Sequence, residues 1–221
     1  MKLAINGIIK FLLGVIMVSL LLFIPAGTLA FWNAWVFMGL LFIPMIFVGI
    51  WLFVKKPELL AKRLNGNEKE KTQKFVILFS VVIFVAGFVI CGLDFKNKWT
   101  NANALSTIMG SIVLLLSYIL YVEVLKENAY LSRNVEIQKE QKLINTGMYR
   151  IVRHPMYLAT TTLFLSFPIV LGSLYGFLVF LFYPIILMIR IINEEKILEE
   201  GLEGYKDYKD NVKYRMIPFI W

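Results

Sequence analysis

Six apolar runs dominate the sequence and constrain its fold more than any other feature. A helix needs about 20 predominantly apolar residues to cross the hydrocarbon core of a bilayer. Only 17% of the residues are charged, whereas a soluble domain has roughly a quarter. The sequence therefore predicts an all-α integral membrane protein with about six transmembrane helices. These runs are approximately residues 8–30, 33–54, 75–93, 103–126, 156–172 and 175–192.

The last two runs are short, and only Gly172, Ser173 and Leu174 separate them. This spacing predicts a tight helical hairpin. The alternative is one broken helix, which leaves five spans and puts the polar stretches 127–155 and 193–221 on opposite sides of the membrane. We favour the hairpin, because it keeps the two stretches with the most functional polar residues on one side.

Basic residues support the same topology. With six spans and both termini inside, only Lys96 and Lys98 of the 23 lysines and arginines lie outside. Cytoplasmic loops of membrane proteins are enriched in lysine and arginine. The sequence thus predicts a multi-pass protein with both termini in the cytoplasm. The net charge of +8 does not indicate nucleic-acid binding, because the charges occur in short patches between the apolar runs.

Polar sequence is concentrated in three stretches, 55–74, 127–155 and 193–221. We interpret the chain as a single membrane domain, residues 1–221. Within it, residues 1–126 are mainly a transmembrane scaffold and residues 127–221 are the half that binds cofactor and substrate. We expect a cofactor pocket at the cytoplasmic face, formed by the C-terminal half.

The stretch 153-RHPMY-157 contains the only histidine of the chain, His154. Pro155 suits the first position of a helix, and a helix start attracts anions. We therefore expect an anion site with Arg153 and His154, beside the rings of Tyr149 and Tyr157. S-adenosylmethionine fits such a site, because it has a carboxylate and a sulfonium that aromatic faces attract. The alternative interpretation is a belt of interfacial residues.

A second polar group lies at the end of the last apolar run. Arg190 and Glu194 are four residues apart and share one helix face. One interpretation is an arginine that extends to the interface and pairs with the glutamate. The other is an arginine that faces an anionic substrate group in a cleft. The tail 201–221 is amphipathic and rich in tyrosine, and it is expected to lie on the membrane surface and cap the site.

These motifs resemble those of the isoprenylcysteine carboxyl methyltransferase family, in its bacterial and archaeal form. The signature region is 138-QKEQKLINTGMYRIVRHPMY-157, and 190-RIINEE-195 follows at the expected distance. The resemblance extends over most of the chain, because shorter pieces match as well. They are 57-PELLAKRL-64, 92-GLDFKNKW-99, 204-GYKDY-208 and 214-YRMIP-218.

The resemblance implies a membrane methyltransferase that uses S-adenosylmethionine, releases S-adenosylhomocysteine and needs no metal. It implies that Arg190 faces the methyl acceptor as the catalytic and substrate-binding residue. Gln141 departs from the eukaryotic enzymes, which have histidine there. The resemblance also implies a cofactor site formed by Gln138, Gln141, Leu143, Ile144, Tyr149, His154, Pro155, Met156, Tyr157 and Glu194.

The acceptor and the partners are less constrained. Carboxyl O-methylation of an isoprenylcysteine-type lipid is the leading expectation, with thiols, phospholipid amines and other isoprenoids as alternatives. We expect a lipophilic or prenylated substrate, contact with membrane lipid, and no obligate protein partner. Two other functions stay open: an NADPH-dependent membrane reductase similar to sterol reductases, and a non-enzymatic membrane scaffold or transporter.

Overall fold

A computed structural model of the chain describes residues 1–68 and 70–221. Lys69, one of the basic residues in the 55–74 stretch, lies outside the described residues. The described chain is helical and contains no strand, which confirms the all-α prediction. Its helices are α1 (Lys2–Ala26), α2 (Trp32–Lys55), α3 (Pro57–Leu64), α4 (Lys71–Asn97), α5 (Ala104–Glu127), α6 (Pro155–Leu171), α7 (Leu174–Phe180), α8 (Phe182–Gly201) and α9 (Tyr205–Asn211).

Every predicted apolar run forms helix, but the helices differ in their capacity to span a membrane. Within the described residues, five helices are long and apolar enough to cross one: α1, α2, α4, α5, and α7 with α8 as the stretch Leu174–Gly201. Helix α6 has only 17 residues, or about 26 Å of helix, which is less than the roughly 30 Å of a hydrocarbon core. The chain is an integral multi-pass membrane protein.

Helix α6 and the α7–α8 stretch form an antiparallel hairpin. Near its turn, the rings of Phe167 and Phe180 lie 6.1 Å apart between centroids. Farther from the turn, the Tyr157 hydroxyl donates to Glu194 Oε2 at 2.5 Å. The turn begins at Gly172, whose φ of 72° closes α6 in the left-handed conformation that glycine adopts without strain. The predicted hairpin is therefore present, and the broken-helix alternative is wrong.

The helix bundle has two ends of different character, here called the turn end and the polar end. The turn end contains the short connections at 27–31, 98–103 and 172–173. The polar end contains α3, α9 and the stretches 128–154 and 202–221. Contacts such as Gln73 Nε2 to Asn193 Oδ1, at 2.6 Å, hold the start of α4 against the end of α8 there.

Two close helix contacts depend on glycine. A Cβ atom on Gly110 of α5 would come within 2.7 Å of the backbone nitrogen of Val170 in α6. A Cβ on Gly92 of α4 would come within 2.6 Å of the Leu22 carbonyl in α1. Small residues let helices approach closely in lipid, where packing rather than water exclusion holds them together. These contacts hold α1 against α4 and α5 against α6 in the half of the bundle nearer the turn end.

Candidate functional site

A cavity of about 430 Å³ opens at the polar end of the bundle. Helices α4, α6 and α8 form its walls, together with the stretch 128–149 and the segment 202–208. Its volume lies within the range of small-molecule and cofactor sites, which is about 300–1,000 Å³. Both polar stretches of the second half therefore contribute to one cavity, as the hairpin requires.

The structure brings most of the predicted site residues together in this cavity. Gln138 does not line it: its side-chain amide donates to the Tyr130 carbonyl at 2.6 Å and braces the neighbouring loop. Pro155 also does not line it, because it is the first, buried residue of α6. The predicted residues that do line it are Gln141, Leu143, Ile144, Tyr149, His154, Met156, Tyr157, Arg190 and Glu194.

A hydrogen-bonded chain of three side chains lies at the centre of the cavity wall. Arg190 Nε donates to the Tyr157 hydroxyl at 2.8 Å, and this hydroxyl donates to Glu194 Oε2. Arg190 and Glu194 do share one face of α8, as their spacing predicts, but Tyr157 bridges them instead of a direct ion pair. A second guanidinium nitrogen of Arg190 donates to the Arg133 carbonyl at 2.7 Å. The arginine is thus fixed in position by neutral partners.

A buried ion cluster centred on Glu195 lies next to this chain. Glu195 Oε1 accepts from Arg153 Nε at 2.6 Å and lies 3.3 Å from His154 Nε2. Glu195 Oε2 accepts from Arg215 Nε at 2.8 Å. The expectation that Arg153 and His154 form part of an anion site for a ligand stays a prediction. A carboxylate of the protein already holds both side chains, although His154 still lines the cavity.

The C-terminal tail crosses the start of α6 and closes one side of the cavity. The backbone N–H groups of Arg153 and His154 donate to the Tyr214 and Arg215 carbonyls at 2.9 and 2.8 Å. Arg153 Nη1 also donates to the Val212 carbonyl at 2.6 Å. Leu202, Tyr205 and Tyr208 of the tail line the cavity, and the position of the tail on the membrane surface stays a prediction. Glu195 and Arg215 were not among the predicted site residues, since neither has a sequence spacing that indicates the other.

Three tyrosines near the tail share a buried environment. Tyr208 donates to the Tyr149 carbonyl at 2.7 Å, and the Tyr149 hydroxyl accepts from Asn128 Nδ2 at 2.8 Å. Burial raises the pKa of Tyr149, Tyr205 and Tyr208, so all three are neutral phenols. Among the described residues, the buried Tyr205 hydroxyl and Asn134 Oδ1 have no hydrogen-bond partner.

The residues that line the cavity fall into two groups, here called its outer arm and its inner arm. The outer arm is formed by the tyrosines near the tail and by leucine and isoleucine side chains. The inner arm is formed by α4, α6 and α8, and its walls are mainly apolar, with Ser80 and Thr160 as polar exceptions. Along α8, the distance from Leu187 in the inner arm to Leu202 in the outer arm is roughly 22 Å. The inner arm is lined by Val76, Ile77, Val81, Phe84, Phe164, Tyr183 and Leu187.

Part of the chain is similar to one family of known proteins. Residues 104–203 match the family model described as phospholipid methyltransferase. No curated protein matches the chain. The matched part extends from the start of α5 to just past α8, so it contains the hairpin, Arg190 and Glu194. The phospholipid methyltransferase family is related to the isoprenylcysteine carboxyl methyltransferases that the sequence motifs resemble. Over residues 104–203 the chain is therefore similar to the phospholipid methyltransferases, and this similarity supports a membrane methyltransferase.

Proposed function

We propose that this protein transfers a methyl group from S-adenosylmethionine to a lipophilic acceptor that has a carboxylate or a thiol, with carboxyl O-methylation as the main activity. The observation that carries this proposal is the chain Arg190–Tyr157–Glu194 at the junction of the two cavity arms. It puts a cation and a carboxylate next to each other where a polar arm and an apolar arm meet.

The outer arm suits the cofactor. A sulfonium is attracted by aromatic faces and by a carboxylate, and Tyr149, Tyr157 and Glu194 supply both beside the cavity. Apolar side chains of Leu143 and Ile144 suit the flat face of a purine. Asn134 Oδ1, a buried acceptor without a partner among the described residues, adds hydrogen-bonding capacity to the same wall. When bound, the cofactor supplies an activated methyl group.

The inner arm suits the chain of a lipid acceptor, because its walls are apolar and lie between membrane-spanning helices. Arg190 lies at the entrance of this arm. An arginine is permanently charged and has a two-pronged donor geometry, so it orients a carboxylate without accepting or releasing a proton. The main contribution of the protein is alignment, since holding two reactants in line removes much of the entropic barrier.

Methylation of a carboxylate, or of an acceptor thiol that is already ionised to the thiolate, needs no general base. The acceptor oxygen forms a bond to the methyl carbon while the carbon–sulfur bond breaks, which leaves a neutral ester and a thioether. His154 agrees with this scheme, because its Nε2 lies 3.3 Å from Glu195 and 5% of its side chain is exposed. We therefore assign His154 to the cofactor wall rather than to proton transfer.

Calorimetric titration of the purified protein with S-adenosylhomocysteine tests the proposal. We expect wild-type protein to bind and Glu194→Ala to bind at least about tenfold more weakly, because the variant loses a charged partner of the cofactor. Glu123→Ala is the matched control, since this exposed glutamate pairs with Lys126 on the surface, and the variant should bind like wild type. The proposal fails if wild-type protein does not bind, or if Glu194→Ala binds equally well.

We also propose that the polar end faces the cytoplasm. It carries the basic residues of the loops and tail, whereas Lys96 and Lys98 lie at the turn end. Single cysteines at Lys96 and Lys139, both exposed, distinguish the two orientations in right-side-out vesicles. A membrane-impermeant maleimide should label Lys96→Cys in sealed vesicles and Lys139→Cys only after permeabilisation; the reverse pattern would invert the topology. Wild-type protein is the unlabelled control, because its Cys91 is buried.

A further inference from the structure

A second arginine reaches the cavity from the first half of the chain. Arg63, in the last turn of α3, lines the cavity with Arg190. Helix α3 lies at the polar end because Lys56, just before it, donates to the carbonyls of Leu125 and Lys126 at the end of α5. Arg63 lies outside the segment 104–203 that matches the family model, so nothing in that match assigns it a role.

The partner of Arg63 is neutral. Its Nη2 donates to the Tyr121 hydroxyl at 2.5 Å, and its guanidinium carbon lies 5.5 Å from the centre of the Tyr121 ring. Among the described residues, no carboxylate lies within 4 Å of it, whereas Arg153 and Arg215 both pair with Glu195. A guanidinium has five N–H donors, so Arg63 retains donors for a ligand.

Arg63 and Arg190 line the same cavity as the apolar side chains of the inner arm. Tyr183, Phe84 and Leu187 of this arm line the cavity together with both arginines. Two cations at the entrance of an apolar channel form an environment for an anionic head group attached to an apolar chain, because a partly desolvated cation is stabilised by an anionic partner.

We propose that Arg63 is a second anion-binding residue for the methyl acceptor and that the acceptor class is an anionic, apolar-chain molecule, a carboxylate or a phosphate. This inference rests on the proposed function of the cavity. In it, Arg63 determines specificity and Arg190 orients the reacting group. Tyr121 positions Arg63 through its ring and hydroxyl, so the first half of the chain contributes directly to acceptor selection.

Binding of three probes to the full-length protein in zwitterionic nanodiscs tests this assignment. The probes are N-acetyl-S-farnesylcysteine, its neutral primary amide, and farnesyl monophosphate, each measured against wild type, Arg63→Gln, Arg63→Lys and Lys62→Gln. Lys62 is the matched control, because it is the adjacent cation of α3 and does not line the cavity. Binding of S-adenosylhomocysteine is measured for every variant.

We expect wild-type protein to bind at least one anionic probe roughly tenfold or more tightly than the amide, and Arg63→Gln to lose most of this preference. Arg63→Lys should retain part of it, because it keeps the charge without the two-pronged geometry. Lys62→Gln should behave like wild type, and binding of S-adenosylhomocysteine should not change in any variant. The carboxylate and phosphate probes distinguish the two anion sources.

The assignment is overturned if Arg63→Gln keeps the full preference for the anionic probes. It is also overturned if wild-type protein binds S-adenosylhomocysteine but binds neither anionic probe better than the amide; the proposed methyltransferase function then still stands. If wild-type protein does not bind S-adenosylhomocysteine, the proposed function itself fails. If Arg63→Gln does not fold, Arg63→Lys and Tyr121→Phe are compared with wild type instead. The assignment is then contradicted if both variants keep the full preference for the anionic probes over the amide.

Discussion

The turn end and the polar end of the bundle each contain a buried carboxylate, and the two are used differently. At the turn end, Asp94 accepts from the backbone and hydroxyl of Thr100, both at 2.7 Å, and from the Ser173 hydroxyl at 2.5 Å. Neutral donors from two connections thus satisfy it locally. At the polar end, Glu195 is held by the charged side chains of Arg153 and Arg215, which belong to distant parts of the chain.

The difference shows how the same hydrogen-bonding groups can serve structure or binding. The Asp94 network joins the connection at 98–103 to the hairpin turn, so it stabilises the turn end. The Glu195 cluster joins α6, α8 and the tail around a cavity, and it leaves the adjacent Arg190 with neutral partners. We infer that the charged cluster fixes the frame of the site, whereas Arg190, Tyr157 and Glu194 are positioned to contact ligands.

Among the changes that distinguish the two ends, Glu195→Ala should have the largest effect on stability and ligand binding. This change leaves Arg153 buried without its counter-charge, and removal of one partner from a buried ion pair costs about 3–5 kcal/mol. It also removes one contact between the tail and α8, since Arg215 loses the same carboxylate. We expect a strong decrease in thermal stability together with loss of S-adenosylhomocysteine binding, measured by thermal unfolding in detergent and by calorimetry.

Asp94→Ala is the matched control at the turn end. It removes a buried carboxylate from neutral donors, which costs roughly 1–3 kcal/mol per donor left unsatisfied, but it does not touch the cavity. The folded variant should therefore bind S-adenosylhomocysteine like wild type. Equal losses of binding in folded Asp94→Ala and Glu195→Ala would contradict the separation of the two ends into structural and ligand-binding roles.

Sequence reasoning succeeded where the signal is local and periodic. Apolar runs identified every long helix, the three residues Gly172, Ser173 and Leu174 identified the hairpin turn, and the four-residue spacing put Arg190 and Glu194 on one face. The extent to which α6 crosses the bilayer was less predictable, because the length of an apolar run does not fix it. The packing of α6 against α5 at Gly110 was not predictable either, because it is a tertiary contact.

The candidate site was less predictable where it depends on contacts between distant residues. Glu195 contacts Arg153 and His154 only because the hairpin brings α8 back to the start of α6. The two contacts join residues that are 42 and 41 positions apart in the sequence. Arg63 reaches the cavity because α3 folds against α5, and no spacing in the sequence indicates this. The division into a scaffold half and a catalytic half stays a prediction, and the presence of Arg63 and Phe84 in the cavity wall argues for a shared site.

The smallest expected effect compares two tyrosines within the polar end. Tyr205 and Tyr208 lie in α9 and both line the cavity, but only Tyr208 has a partner for its hydroxyl, the Tyr149 carbonyl. Tyr208→Phe removes this hydrogen bond and should destabilise the protein by about 1 kcal/mol. Tyr205→Phe removes a buried hydroxyl without a partner among the described residues, so it should leave stability unchanged or raise it.

Thermal unfolding of both variants in the same detergent measures the difference. For a protein of this size, 1 kcal/mol corresponds to roughly 2–4 °C in Tm, so the two variants should differ by at least about that amount, with Tyr205→Phe the more stable. A Tyr205→Phe protein that unfolds at the lower temperature would mean that its hydroxyl has a stabilising partner. Repeating the measurement with S-adenosylhomocysteine sharpens the comparison: if the ligand stabilises wild type more than Tyr205→Phe, the unsatisfied hydroxyl belongs to the binding surface of the polar end rather than to its frame.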